Sequence, residues 1–115
     1  MQIRPREILT YTTPSGHSPY RRWYTRIKDQ KVQIAISNRI TRLRAGNFGD
    51  FKRLSSNLYE LRIHYGPGYR VYFGVFQNDV VILLCGGTKG TQQRDIDRAR
   101  SYWNDFLEQM EEQSG

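Results

Sequence analysis

The chain has 115 residues, 37% of them hydrophobic and 13% aromatic, and a formal charge of +7. That length makes one domain, with enough chain to bury a core without disulfides or metals. It excludes a membrane-spanning helix, because the longest apolar run, Val80 to Cys85, is far shorter than the roughly 20 residues a span requires. The charge is unevenly placed. Residues 1–94 carry 16 Lys and Arg against five acids, a balance of +11, whereas residues 95–115 carry two against six, a balance of −4. Of the 18 bases, 14 are Arg, the cation best shaped for bidentate phosphate contacts and for stacking on bases. A basic body favours nucleic acid or another polyanion as partner, with a merely solvated basic surface as the plain alternative. Cys85 is the single cysteine and sits in an apolar run, so a buried, inert, reduced thiol is expected, which fits the cytoplasm. Arg4 and Arg6 are followed by no apolar stretch of the kind a secretory signal contains.

Residues 3–12 form the first expected strand, with Pro5 marking an edge or start. After the turn cluster Thr13 to His17, Ser18 is the N-cap and Pro19 the first residue of a helix. Its apolar stripe is Tyr20, Trp23, Tyr24 and Ile27. A second helix is expected from about Asp29 to Ala45, on the stripe Val32, Ile36, Ile40 and Leu43, with Gly46 as its C-cap. The short break between the two implies an antiparallel helical hairpin. Residues 47–57 look irregular and polar.

Leu58 to Tyr65 alternates, with Leu61 and Ile63 on one face and Glu60, Arg62 and His64 on the other. Gly66-Pro67-Gly68-Tyr69 matches a type II turn. The next strand, Tyr69 to Phe76, puts Val71, Phe73 and Val75 opposite Arg70, Tyr72 and Phe76. Gln77 to Asp79 is a turn, and Val80 to Cys85 is apolar on both faces, as a central strand is. Gly86 to Gly90 is expected to be a mobile or ligand-accommodating loop. Thr91 N-caps a last helix whose apolar face is Ile96, Ala99, Trp103, Phe106, Leu107 and Met110, with 111–115 as a frayed tail. The order β-α-α-β-β-β-α predicts an α+β domain with a mostly antiparallel sheet.

The chemistry open to these residues is narrow. His17, His64 and Cys85 show no metal-ligand spacing, and a lone thiol in an apolar run lacks the electropositive setting of a nucleophile. Metal-free cleavage of RNA by its own 2′-OH remains. That reaction needs a base for the hydroxyl proton, cations for charge on the phosphoryl oxygens and an acid for the leaving 5′ oxygen. Arg62 and Arg70 are candidate charge stabilisers, and His64 and Lys89 candidate proton shuttles. Tyr65, Tyr69 and Tyr72 are candidates for stacking on bases, and Lys52, Arg53 and Arg94 for backbone contacts. Each has a plainer role: the two arginines can pair with Glu60 or with acids of the last helix, and the tyrosines can be packing residues.

Three pieces carry a family resemblance: Glu60-Leu61-Arg62, Gly66-Pro67-Gly68-Tyr69-Arg70-Val71-Tyr72, and Leu84 to Lys89 followed by Gln92 to Ala99. With them the chain resembles the RelE/ParE superfamily of bacterial type II toxins, closest to the HigB-like addiction-module killer proteins, over nearly its whole length. The resemblance implies a RelE-like fold and a cognate antitoxin encoded nearby, commonly a helix-turn-helix protein. Operator DNA would be bound only through the toxin–antitoxin complex. It also implies cleavage of mRNA on the ribosome without metal or other cofactor, with Arg70 at the family's most characteristic cationic strand position. Arg62 and Lys89 match less strictly placed basic positions. The chain departs from the ribonuclease pattern at Thr91 to Asp95, which has neither the Tyr nor the His that many members place after the last strand. ParE-like relatives, which inhibit DNA gyrase and need no nuclease residues, are the alternative.

Overall fold

The computed structural model describes residues 4–114. A five-stranded sheet is built from β1 (Glu7–Thr10), β2 (Phe51–Ser55), β3 (Leu58–Ile63), β4 (Tyr69–Phe76) and β5 (Val80–Thr88). Three helices accompany it: α1 (Pro19–Arg26), α2 (Gln30–Arg44) and α3 (Gln92–Ser114), the last preceded by a 3-10 turn at Lys89–Thr91. The strand order is β1-β5-β4-β3-β2. β1 runs parallel to β5 and every other pairing is antiparallel, so this is an α+β domain with a mixed sheet.

The helix starts follow the expected capping chemistry. Ser18 Oγ accepts from Arg21 N at the start of α1, and Asp29 accepts from Lys31 N at the start of α2. The sheet is covered on both faces. On one, α1 and α2 bring Tyr20, Val32, Ile36, Ile40 and Leu43 against Leu61, Ile63, Val71, Phe73, Val75, Val81 and Leu83. On the other, α3 brings Ala99, Trp103 and Phe106 against Leu58, Tyr72, Ile82, Leu84 and Cys85. Burial, and the neighbouring Asp95 carboxylate, push the Cys85 thiol up to about 12, which makes it inert at neutral pH.

Five expectations need correcting. Residues 111–114 are not a frayed tail but continue the helix α3, which runs to Ser114. Residues 47–57 are not wholly irregular, because 51–55 form the edge strand β2. The β3–β4 turn is set one residue earlier than expected: Gly68 N donates to Tyr65 O, and Gly66 takes a positive φ of 55° at the first central position, the pattern of a primed hairpin turn. Leu107 is exposed and does not join the α3 core face. Gly86 and Gly87 are not in a loop; they lie within β5. Their missing side chains make room for neighbours. A Cβ on Gly86 would lie 2.3 Å from the Trp23 ring, and one on Gly87 would lie 1.8 Å from Asp95 Oδ2. No helix among the described residues is long and apolar enough to cross a membrane.

Candidate functional site

Glu60 organises the α3 face of the sheet. It sits mid-strand in β3 with no exposed surface, where a bare carboxylate is costly. Its two oxygens are occupied from three directions: Arg62 Nε at 3.1 Å, the Tyr72 hydroxyl at 3.1 Å and Gln92 Nε2 at 2.8 Å. Arg70 NH1 approaches to 3.7 Å. Burial alone would raise the Glu60 pKa, but the hydrogen bonds from Gln92, Arg62 and Tyr72 and the charge on Arg70 outweigh it and hold the carboxyl below its ordinary value. The same carboxylate and burial keep the Tyr72 phenol protonated, far above its usual range.

Arg62 and Arg70 face each other as Cα partners across β3 and β4. Two guanidiniums side by side repel, and Glu60 beneath them supplies the compensating charge. Their environments differ. The Arg62 side chain is about a third exposed, whereas that of Arg70 is only 11% exposed. Arg70 Nε is buried with no hydrogen-bond partner in the protein, an unfilled donor on a residue that lines the open cleft at this end of the sheet.

That cleft, about 390 Å³, is walled by Ile63, the 64–69 turn, Arg70 and Lys89. Lys89 is held there by its backbone, whose N–H donates to Gly68 O at 3.1 Å. At the other side, exposed His64 hydrogen-bonds through Nε2 to Asp50 Oδ2. That bond lowers the Asp50 pKa, so Asp50 stays ionised. Asp50 is placed by backbone: Arg62 N donates to Asp50 O at 3.0 Å, and Arg39 NH2 reaches the carbonyls of Asp50 and Arg62 at 3.2 and 3.3 Å.

The structure thus brings Arg70, His64, Tyr65, Tyr69 and Lys89 to one cleft, with Arg62 beside it. Lys52 pairs in register with Glu60 from the edge strand β2, so it lies on the same sheet face. Arg53 is on the opposite face, donating to Ser55 O. Tyr72 cannot stack on a base, because it is completely buried and its hydroxyl is used on Glu60. Arg94 is on α3, away from this cleft and close to Asp95. The pairing of both arginines with Glu60, the plainer role foreseen for them, is real, and it coexists with a shared cleft. Asp50 and Gln92 were not foreseen. They lie 14 and 32 residues from their partners, and nothing local in the sequence marks so distant a contact.

The family model of phage-derived Gp49-like proteins (DUF891) matches residues 26–103, which span α2, all of the sheet except β1, and most of α3. The chain belongs to the Gp49-like family. An uncharacterized protein of Haemophilus influenzae is 46% identical over 78 residues, covering 68% of this chain and 79% of the relative. The Gp49-like family is a RelE-like, toxin-like family. Membership therefore points to the toxin of a toxin–antitoxin module and to an antitoxin as partner.

Proposed function

We propose that this Gp49-like chain is the toxin of a type II module and acts as a metal-independent, ribosome-dependent mRNA endoribonuclease in the cytoplasm. The observation that carries the reading is the cationic pair Arg62 and Arg70, anchored on one buried carboxylate and flanked by His64 and Lys89. Two fixed cations beside an open cleft suit a phosphodiester whose non-bridging oxygens gain charge in the transition state.

In this reading each residue has one role. With Nε2 bonded to the Asp50 carboxylate, His64 presents Nδ1 as the free ring nitrogen. Nδ1 takes the proton of the 2′-OH, the 2′ oxygen attacks phosphorus, and the P–O5′ bond breaks to leave a 2′,3′-cyclic phosphate. The Lys89 ammonium gives its proton to the departing 5′ oxygen. Arg70 and Arg62 neutralise the phosphoryl oxygens, and Tyr65 and Tyr69 offer rings for stacking at the cleft rim. So small and open a site orients RNA poorly, and the ribosome supplies that orientation. The partner is a helix-turn-helix antitoxin encoded nearby, through which the complex reaches operator DNA.

Expression of the chain alone should arrest growth with cleavage of translated mRNA, and co-expression of the adjacent gene should restore growth. Harmless accumulation of folded protein would overturn the toxin reading. Growth arrest with intact mRNA and blocked DNA supercoiling would replace the ribonuclease by a ParE-like gyrase inhibitor.

A further inference from the structure

Four cations stand on α2. Lys31, Arg42 and Arg44 are exposed, whereas Arg39 is half-buried. Arg39 lies one helical turn from Ile36 and from Leu43, both on the stripe that packs against the sheet. Its stem can therefore follow the buried face while its head reaches past it. The NH2 group lies 3.2 Å from Phe48 O, 3.2 Å from Asp50 O and 3.3 Å from Arg62 O. Three carbonyls converge on one nitrogen that carries two protons, so the bonds are shared, and the charge strengthens them. Two of the carbonyls belong to the segment between α2 and β2, and the third to β3.

That segment is wrapped around the guanidinium. Phe48 anchors it on one side, with its ring buried in the core against Phe73. Gly49 crosses the guanidinium with a φ of 60°, and a Cβ there would lie 2.5 Å from Arg39 NH1, so only glycine fits without displacing the group. Asp50 then turns outward, and its carboxylate takes His64 Nε2. Asp50 O accepts from Arg62 N as well as from Arg39. One guanidinium thus joins the residue that holds His64 to the strand that carries Arg62.

We infer that Arg39 is the positioning residue of the cleft: it pins Asp50 and Arg62 to one point and so sets where the Asp50 carboxylate holds the His64 ring. Arg39 itself touches neither His64 nor a bound RNA. The exposed His64 side chain has little packing to fix it, so its place depends on the Asp50 contact and on the segment behind it. The effect on cleavage rests on the ribonuclease reading; the placement of the ring does not. A plain loop staple would behave differently, because its loss would lower the melting temperature and leave the ring of the folded protein where it is.

The test uses the full chain and the ring signals of its two histidines, His17 and His64, in proton–carbon NMR spectra at one fixed pH. His17, in the turn before α1, is the internal reference. In Arg39→Met, an unbranched side chain without donors, the His64 signals should move towards those of Asp50→Asn while the His17 signals stay. Arg39→Lys, which keeps a cation, should move them less. Gly49→Ala displaces the same guanidinium from the other side and should also move them; it decides the matter if Arg39→Met does not fold. In cleavage of ribosome-bound mRNA, Arg39→Met should lower kcat at least tenfold with KM within about twofold, and it should add little to the loss in a His64→Ala background. Unmoved His64 signals in the folded variants would overturn the inference, as would a full multiplicative loss in that background. If the wild type cuts no mRNA, the ribonuclease reading falls and the ring signals alone decide the role of Arg39.

Discussion

Gln92, in the first turn of α3, donates to the buried carboxylate of Glu60 at 2.8 Å. This one bond ties the start of the last helix to the middle of the sheet. It also completes the shell that keeps Glu60 ionised beneath Arg62 and Arg70. The anchor of the cationic pair is thus a structural element as well as part of the site.

Glu60→Gln should be strongly destabilising at neutral pH, by about 3 kcal/mol, because it leaves Arg70 largely buried without its counter-charge. The pH dependence has a definite sign. The folded pKa of Glu60 lies below its ordinary value of 4.5, so its contribution is complete above that value and is lost as pH falls through the folded value. Melting temperature measured against pH should fall more steeply below about pH 4.5 in the wild type than in Glu60→Gln. Parallel curves would show that Glu60 is not the linked group.

Arg70→Ala is not a surface change. An arginine side chain that is 11% exposed beside a buried carboxylate contributes through both packing and charge. The Ala variant should lose stability, contrary to what strand alternation alone suggests, and toxicity with it. Arg70→Lys keeps the charge near Glu60 but not the forked donors. It should therefore retain most of the melting temperature while losing at least tenfold in cleavage. Wild-type toxicity of the Lys variant at equal protein level would remove Arg70 from the site.

The Asp50–His64 pair separates positioning from proton transfer. His64→Ala should lower the cleavage rate by about 10²-fold or more if the imidazole moves the proton. Asp50→Asn should keep the ring but weaken the contact that orients it, lowering the cleavage rate with little change in melting temperature, as both residues are exposed. An unchanged rate would show that the pair is only a surface contact.

Gly87→Ala should cost roughly 1–3 kcal/mol, read as a lower urea midpoint, because the new methyl would meet Asp95 Oδ2 at 1.8 Å. Gly16→Ala is the control: nothing lies within 4 Å of its Cβ position, though its φ of 92° carries some backbone cost. An equal midpoint for Gly87→Ala and wild type would mean that Asp95 moves aside freely.

The parts of the molecule legible in the sequence are those with local signals. Ser18-Pro19 marks the start of α1, the stripe Val32, Ile36, Ile40 and Leu43 marks the buried face of α2, and Leu61 and Ile63 alternate with Arg62 as the sheet requires. β2 was hidden because an exposed edge strand, Phe51–Ser55, has no apolar alternation to show. The parallel pairing of β1 with β5 joins residues more than 70 positions apart, and nothing in Glu7–Thr10 names its neighbour. Gly86 and Gly87 resemble a loop in sequence because their purpose, room for Trp23 and Asp95, lies in other elements. The cationic candidates were visible as residue types. That Glu60 holds two of them, and that Asp50 holds His64, is a matter of tertiary pairing.

The central claim is tested most directly by adding the purified protein, pretreated with EDTA and exchanged into reaction buffer, to a translating extract and mapping mRNA 5′ ends, with gyrase supercoiling followed in parallel. The account predicts new ends within translated mRNA, little cutting of the same RNA free of ribosomes, loss of the new ends with Arg70→Lys, and unchanged supercoiling. Intact translated mRNA together with inhibited supercoiling would contradict it.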